Sequence, residues 1–181
     1  MASTGIFEGF SVSHAAILDG STGAELADVY GVREGSVAVN SDSFDNTGDN
    51  AVLSSWFWFN YADIKISSGF IPFRIIALLT GSTAISSSDN WSVPLWNEKS
   101  LNQPPKPVLI RVPSKDSLGA IRTMDIILYR VQFQPIAFDG PTYKDGMTIN
   151  YSGRASLSTV DETGQTLTEN AIGRLVNVAA T

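Results

Sequence analysis

Apolar and polar side chains alternate between Met147 and Val160: Met147, Ile149, Tyr151, Ala155 and Leu157 stand against Thr148, Asn150, Ser152, Arg154, Ser156 and Ser158. A period of two sustained over roughly a dozen residues is the pattern of a long β-strand with one face in the core and one in water. The segment before it is built differently. Ile127, Tyr129, Val131 and Phe133 share a face by the same alternation, while the other face passes from Met124, Ile126 and Leu128 into Arg130, Gln132 and Gln134. One end of that strand is therefore expected to be buried on both sides and the other half exposed. Asp139-Gly140-Pro141 and Asp145-Gly146 supply turn chemistry between the two segments, so residues 124–160 are predicted to form an antiparallel hairpin.

The β signal recurs upstream. Ala51 to Ile66 is rich in aromatic and β-branched residues, contains neither Pro nor Gly, and is apolar on both faces through Trp56, Phe57, Trp58 and Phe59. Such a run fits a central strand, or one whose outer face meets another subunit. Further strands are predicted over 35–41, 107–112 and 174–179. One segment departs from the pattern: Ile71 to Thr80 has Pro72 at a first helical position, Gly81 just beyond its end, and Ile71, Ile75, Leu78 and Leu79 on one side at helical spacing. It predicts a single short helix over 71–80 laid against a sheet, with a strand as the competing reading that Pro72 weakens. Residues 42–50 and the Ser-rich 81–91 read as loops, and 98–107 as a stiff, proline-rich connection. With 181 residues, 43% of them hydrophobic, the chain can bury one sizeable core, and 1–181 is expected to be a single, mainly β domain.

Charge and composition exclude several functions. There is no cysteine, which removes disulfides, thiolate metal sites and cysteine nucleophiles. A net charge of -6 argues against a surface that grips nucleic-acid phosphates, which requires clustered Lys and Arg. The first residues lack the basic start and apolar core of a signal peptide, and no run of about 18 apolar residues is available to span a bilayer. The expectation is a soluble protein that begins in a cytoplasm.

Motifs for chemistry are sparse. His14 is the sole histidine; as a general base it needs a nucleophile and an orienting partner from elsewhere in the fold, and a plain strand-edge histidine is the competing reading. Asp42, Asp45, Asn46, Thr47 and Asp49 gather oxygen ligands around Gly48, but without the EF-hand order of donors or its bidentate Glu. Trp56, Trp58, Trp91 and Trp96 offer a sugar-stacking platform, against the commoner use of tryptophan as core or interface. Phosphate-binding glycine loops, metal-ligand spacings and GxSxG are missing. Neither an enzyme nor a cofactor is expected.

Three stretches carry a resemblance. Residues 30–50 (YGVREGSVAVNSDSFDNTGDN), 56–81 (WFWFNYADIKISSGFIPFRIIALLTG) and 124–163 (MDIILYRVQFQPIAFDGPTYKDGMTINYSGRASLSTVDET) resemble the major tail tube proteins of bacteriophages with long, non-contractile tails, above all those of mycobacteriophages and their relatives. Together they cover about half of the chain. The resemblance implies a β-sandwich or partly closed barrel flanked by a short helix, and six copies in a ring whose inner strands join around a channel. Rings then stack into a hollow tube through which genomic DNA passes during delivery. It also implies the tape-measure, tail terminator and distal tail proteins as partners, DNA only in non-specific transit, and a place in the virion tail after assembly in the bacterial cytoplasm.

Site residues follow from the two readings together. Asp42, Ser43, Phe44, Asp45, Asn46 and Asp49, with Phe44 as the apolar anchor, resemble the element that stacks one ring on the next. The polar strand face Thr148, Asn150, Ser152, Arg154, Ser156 and Ser158 is a candidate wall of the channel or of the tail exterior, and Arg154 sits awkwardly in a channel. Trp56, Trp58, Phe59, Tyr129, Val131 and Phe133 are candidates for core or subunit interface. An open strand edge is an aggregation hazard on a monomer but becomes an assembly device where copies close a ring. A wall short of Lys and Arg would let DNA slide. The alternative is a β-sandwich module that binds carbohydrate through its tryptophans.

Overall fold

The computed structural model describes residues 8–9, 12–29, 31–48, 51–70, 73–83, 85–87, 90–96, 98, 103–115, 120–142 and 146–179, with the backbone alone at 8–9, 44–48, 51–58, 85–87, 90–91, 115, 139–142, 146–147 and 179. The chain opens with β1 (Glu8–Gly9), β2 (His14–Leu18), β3 (Glu25–Val29), β4 (Val32–Gly48) and β5 (Ala51–Ser68), followed by the helix α1 (Phe73–Thr80). Then come β6 (Ile85–Ser87), β7 (Asn90–Ser92), β8 (Lys106–Lys115), β9 (Ile121–Phe133), β10 (Ala137–Thr142) and β11 (Gly146–Ser156). The last elements are β12 (Ser158–Val160), β13 (Thr166–Ala171) and β14 (Gly173–Ala179).

Ten strands form one sheet in the order β3-β2-β8-β9-β11-β5-β4, with β1 added on β8, β10 on β11 and β14 on β9. The chain is mainly β with a short helix, as the periodicity predicts, but the sheet is open, with β3 and β4 at its two ends, rather than closed into a barrel. No helix among the described residues is long and apolar enough to cross a membrane.

β9 is the hub. One of its edges holds β8 from Ile121 to Val131. The other is shared in succession by two strands, β14 against Arg122 to Leu128 and β11 against Val131 to Phe133, so the sheet forks there. A glycine sits at each prong. A Cβ at Gly153, opposite Phe133, would lie 2.9 Å from the Gln132 carbonyl oxygen, and one at Gly173, opposite Leu128, would run into the Ile127 carbonyl. Bare backbone is required where both strands come closest to β9.

Two apolar clusters occupy the two faces. The larger gathers Ala15 and Ile17 of β2, Ala62, Ile64 and Ile66 of β5, Val108 and Ile110 of β8, and Ile149, Tyr151 and Ala155 of β11, with Ile75, Ile76 and Leu79 of α1 packed on them. The smaller, Ala16, Leu18, Leu109, Ile127 and Tyr129, is covered by Leu167 and Ala171 of β13 and by Val176 of β14. Helix and β12-β13 ribbon thus seal opposite sides of the β2-β8-β9 region.

Helix α1 ends as its sequence dictates. Gly81 adopts φ 63°, and the Ser82 N–H donates to the Ala77 carbonyl at 3.0 Å, a closing bond that a left-handed glycine makes accessible. The competing strand reading for this segment falls, because Ile75, Ile76 and Leu79 are buried together at helical spacing.

Four expectations need correction. Tyr129 and Val131 do not share a face: Lys106 pairs with Val131 and Val108 with Leu128, so Pro107 alone of β8 stands against Tyr129 and Arg130 of β9. This bulge leaves Ile127 and Tyr129 in the smaller cluster and moves Val131, with Phe133 beside it, to the larger one with Leu128. Residues 42–48 are extended in β4 rather than looped, paired with β5 from Asp42 against Trp58 to Gly48 against Ala51 with one register shift between Asn46 and Thr47. Pairing with β5 satisfies the backbone groups on the inner edge of β4 and overrides an Asp- and Asn-rich composition. Similarly, β6 and β7 pair within the segment read as a Ser-rich loop.

The fourth correction concerns 147–160. The long strand stops at Ser156, leaves Leu157 exposed, and resumes as β12 with Ser158 buried. Ser158 Oγ accepts from the Val160 N–H at 3.2 Å and donates to the Val160 carbonyl at 2.7 Å, a local turn that breaks the alternation. β9 and β11 are antiparallel neighbours as the hairpin reading requires, although β10 continues β9's line along the same edge of β11.

Candidate functional site

Two surfaces stand out, one polar and one apolar, on opposite faces of the β4-β5-β11 wing. The polar one is built from the outward residues of β11. Cross-strand register sets Asn150 against Ser67, Ser152 against Lys65, Arg154 against Asp63 and Ser156 against Tyr61. Ser67 Oγ donates to Asn150 Oδ1 at 2.7 Å, and Ser152 Oγ donates to Gln134 Oε1 at 3.2 Å. Arg33 reaches Thr148 Oγ1 at 3.3 Å. The expected polar face is therefore continuous from Thr148 to Ser156, and Ser158, buried on β12, does not belong to it.

Arg154 is the informative member. Its Nε lies 3.3 Å from Asp63 Oδ1, and its guanidinium carbon sits 3.8 Å from the centroid of the Tyr61 ring. Asn40 Nδ2 holds the other Asp63 oxygen at 3.0 Å. The cation is neutralised and stacked in place. Arg33, Lys65 and Arg154 share this face with Glu34 and Asp63, which leaves it one positive charge in excess.

The apolar surface lies at the fork. A groove of about 380 Å³ runs between the inward side of β4-β5 and the start of β14, lined by Val37, Val39, Phe59, Ile126, Leu157 and Leu175. Phe59 and Leu175 are each 62% exposed and Val39 is 56% exposed. Apolar side chains this open, side by side, are unusual on a surface that meets only water. The floor is anchored by Arg174, which donates to the buried carboxylate of Glu162. Glu162 is positioned by a tight turn in which Asp161 Oδ1 accepts from the Thr163 N–H at 2.8 Å, Thr163 Oγ1 at 2.7 Å and the Gln165 N–H at 2.9 Å. These bonds, led by the Thr163 hydroxyl, hold the Asp161 carboxyl below the usual carboxylate range.

The remaining site candidates are placed as follows. Asp42 and Ser43 are exposed on β4, with Asn60 Nδ2 donating to Asp42 Oδ2. Phe44, Asp45 and Asn46 follow on the same strand, Phe44 opposite Trp56, and Asp49 falls outside the described residues. Trp56 and Trp58 belong to β5 by backbone, with their side chains outside the description; Phe59 lines the groove, while Tyr129 and Val131 are core. Trp96, an exposed ring, meets Phe138 edge-on and gives its indole N–H to the Ile136 carbonyl at 3.0 Å. Sequence reasoning missed the groove. Its readable trace is the adjacent pair Leu175 and Val176, apolar on both faces of a strand, one turned to the groove and one to the core.

No known family model matches this chain, and no curated protein is significantly similar to it.

Proposed function

We propose that the chain is a structural, self-assembling subunit of the tail tube kind, without catalytic activity, whose copies close into hexameric rings that stack around a DNA-conducting channel. The observation that carries this reading is the exposed apolar groove at the fork, set in an open sheet. Among the described residues no strand pairs with the outer edges of β3 and β4, and β4 presents 17 residues of backbone. An edge of that length is a template for another strand, and the groove beside it buries apolar surface only if another molecule fills it. A second copy of the chain supplies both at once through a heterologous contact, which closes into a ring where the rotation allows.

The polar face fits a conduit wall. Small hydroxyl and amide groups hydrogen-bonded to one another offer little to a passing phosphate chain, and Arg154 is already occupied by Asp63 and Tyr61. Non-specific affinity for nucleic acid scales with the cations left free to neutralise phosphates, so a wall with a single cation in excess holds DNA only loosely. The resemblance of residues 30–50, 56–81 and 124–163 points the same way. It extends the proposal to the virion tail as the site of action and to tape-measure, terminator and distal tail proteins as partners.

Negative-stain electron microscopy and light scattering over a rising concentration series test the reading. Rings or hollow rods are expected. A solitary monomer at every concentration overturns it, and saturable binding of a glycan by that monomer would favour a carbohydrate module built around exposed rings such as Trp96.

A further inference from the structure

The sole histidine has company at the opposite end of the sheet from the groove's β4 wall. His14 lies on β2, and Glu25 and Asp28 lie on the edge strand β3. Glu25 and Asp28 are three residues apart and would point to opposite faces of a regular strand. A bulge brings them together: Ile17 pairs with Ala27 and Leu18 with Glu25, so Leu26 is an extra residue and the alternation slips. Asp28 opposes Ala16 and Glu25 opposes Leu18, which puts both carboxylates on the face that carries His14.

The resulting geometry is that of a coordination site. His14 Nε2 is 3.4 Å from Glu25 Oε1 and 3.8 Å from Asp28 Oδ1, and one donor atom from each residue lies within 4.8 Å of the others. With metal–ligand bonds of about 2.1 Å, two ligands on a tetrahedral ion stand about 3.4 Å apart, so small rotamer adjustments suffice. All three side chains reach solvent, which gives an ion a path in. Arg111, opposite His14 on β8, gives Nε and Nη2 to Asp125 at 2.8 and 2.7 Å.

We propose that His14, Glu25 and Asp28 form a binding site for a divalent first-row transition ion of the zinc type, with a coordination position left open to solvent. One imidazole and two carboxylates are a donor set for such ions, whereas calcium and magnesium prefer oxygen ligands throughout. Two carboxylates and a neutral imidazole together carry two negative charges, which a divalent ion cancels. The ion would clamp β2 to β3 and stiffen an end of the sheet.

Calorimetric titration of Zn²⁺ into the metal-stripped full chain tests this, alongside His14→Ala, Glu25→Gln and Asp28→Asn. Circular dichroism confirms that each variant is folded, and the visible spectrum of bound Co²⁺ reports the ligand field. Saturable binding of one ion per chain is expected, weakened at least about tenfold in each variant, since even partners outside the ligand shell are worth that much. Absence of saturable uptake by the parent protein overturns the proposal. So does uptake that survives undiminished in folded His14→Ala and Asp28→Asn.

Discussion

Arg111 and Asp125 face each other across β8 and β9 in direct register and join through two parallel hydrogen bonds, 2.8 Å from Nε to Oδ1 and 2.7 Å from Nη2 to Oδ2. Asp125 is buried and Arg111 is partly exposed. The bond to Asp125 is the first cause that raises the guanidinium above its ordinary pKa. Asp125→Ala would leave Arg111 without its partner at the head of the smaller core, and should cost about 2 to 4 kcal/mol in chemical denaturation. Arg111→Met, which removes the cation and keeps the stem's packing, exposes the other half of the account: it leaves a buried carboxylate unpaired and should cost a comparable amount. A double variant that replaces both by apolar residues should be less destabilised than the sum of the two.

Tyr151 is buried in the larger core, and its hydroxyl has no hydrogen-bond partner among the described residues. Burial pushes its pKa well above that of a free tyrosine. A group whose pKa is raised by folding stabilises the native state below its unfolded pKa and loses that contribution as pH rises. Here the unfolded tyrosine ionises from about pH 10 upward while the folded one stays protonated, so stability should fall with pH in that range. Tyr151→Phe should be neutral or slightly stabilising at pH 7, within about 1 kcal/mol, and its urea midpoint should decline less steeply above pH 10 than the parent's.

Gly173 stands where β14 meets the β9 backbone, and any Cβ there collides with the Ile127 carbonyl. Gly173→Ala should therefore push β14 off β9. We expect a loss of about 2 kcal/mol or more, with amide exchange rising selectively over 173–179 and 122–128. Equal protection in both proteins would mean that the prongs of the fork are looser than their register suggests.

Assembly should respond to the groove and to β4 separately. Leu175→Asp places a charge in the groove at a site exposed on the monomer, so the variant should fold with near-parental stability and fail to form rings in the microscope. Phe44→Ser tests the distal part of β4, and is expected to leave a folded subunit that no longer polymerises; tubes of normal length would refute the stacking role of that segment. Trp58→Ala should cost about 3 to 5 kcal/mol if the ring is fully buried, and a much smaller loss would point to an exposed platform.

Local chemistry explains what the sequence makes legible here. β5 is readable because a β-branched and aromatic run without proline or glycine has few other uses, and α1 because Pro72 and Gly81 bracket an apolar stripe. The two bulges are invisible. Nothing in Tyr129-Arg130 or in Leu26 announces an extra residue, and each one reverses the face of everything beyond it, which is why Val131 and Glu25 end where simple alternation does not put them. Composition misleads at 42–48, where a polar string is extended because β5 lies beside it. The site is less legible than the fold. The polar face of β11 can be read off one strand, whereas the groove needs Val39, Phe59 and Leu175 from three strands, and the His14 cluster needs a register shift.

The fork on β9 also sets a schedule. Its apolar groove joins Val37 and Val39 to Gly173 and Leu175, residues far apart in sequence, so it cannot exist on a ribosome-bound chain until everything between them has been synthesised and the last of these strands has docked. A nascent chain therefore has no finished groove until β14 has docked on β9.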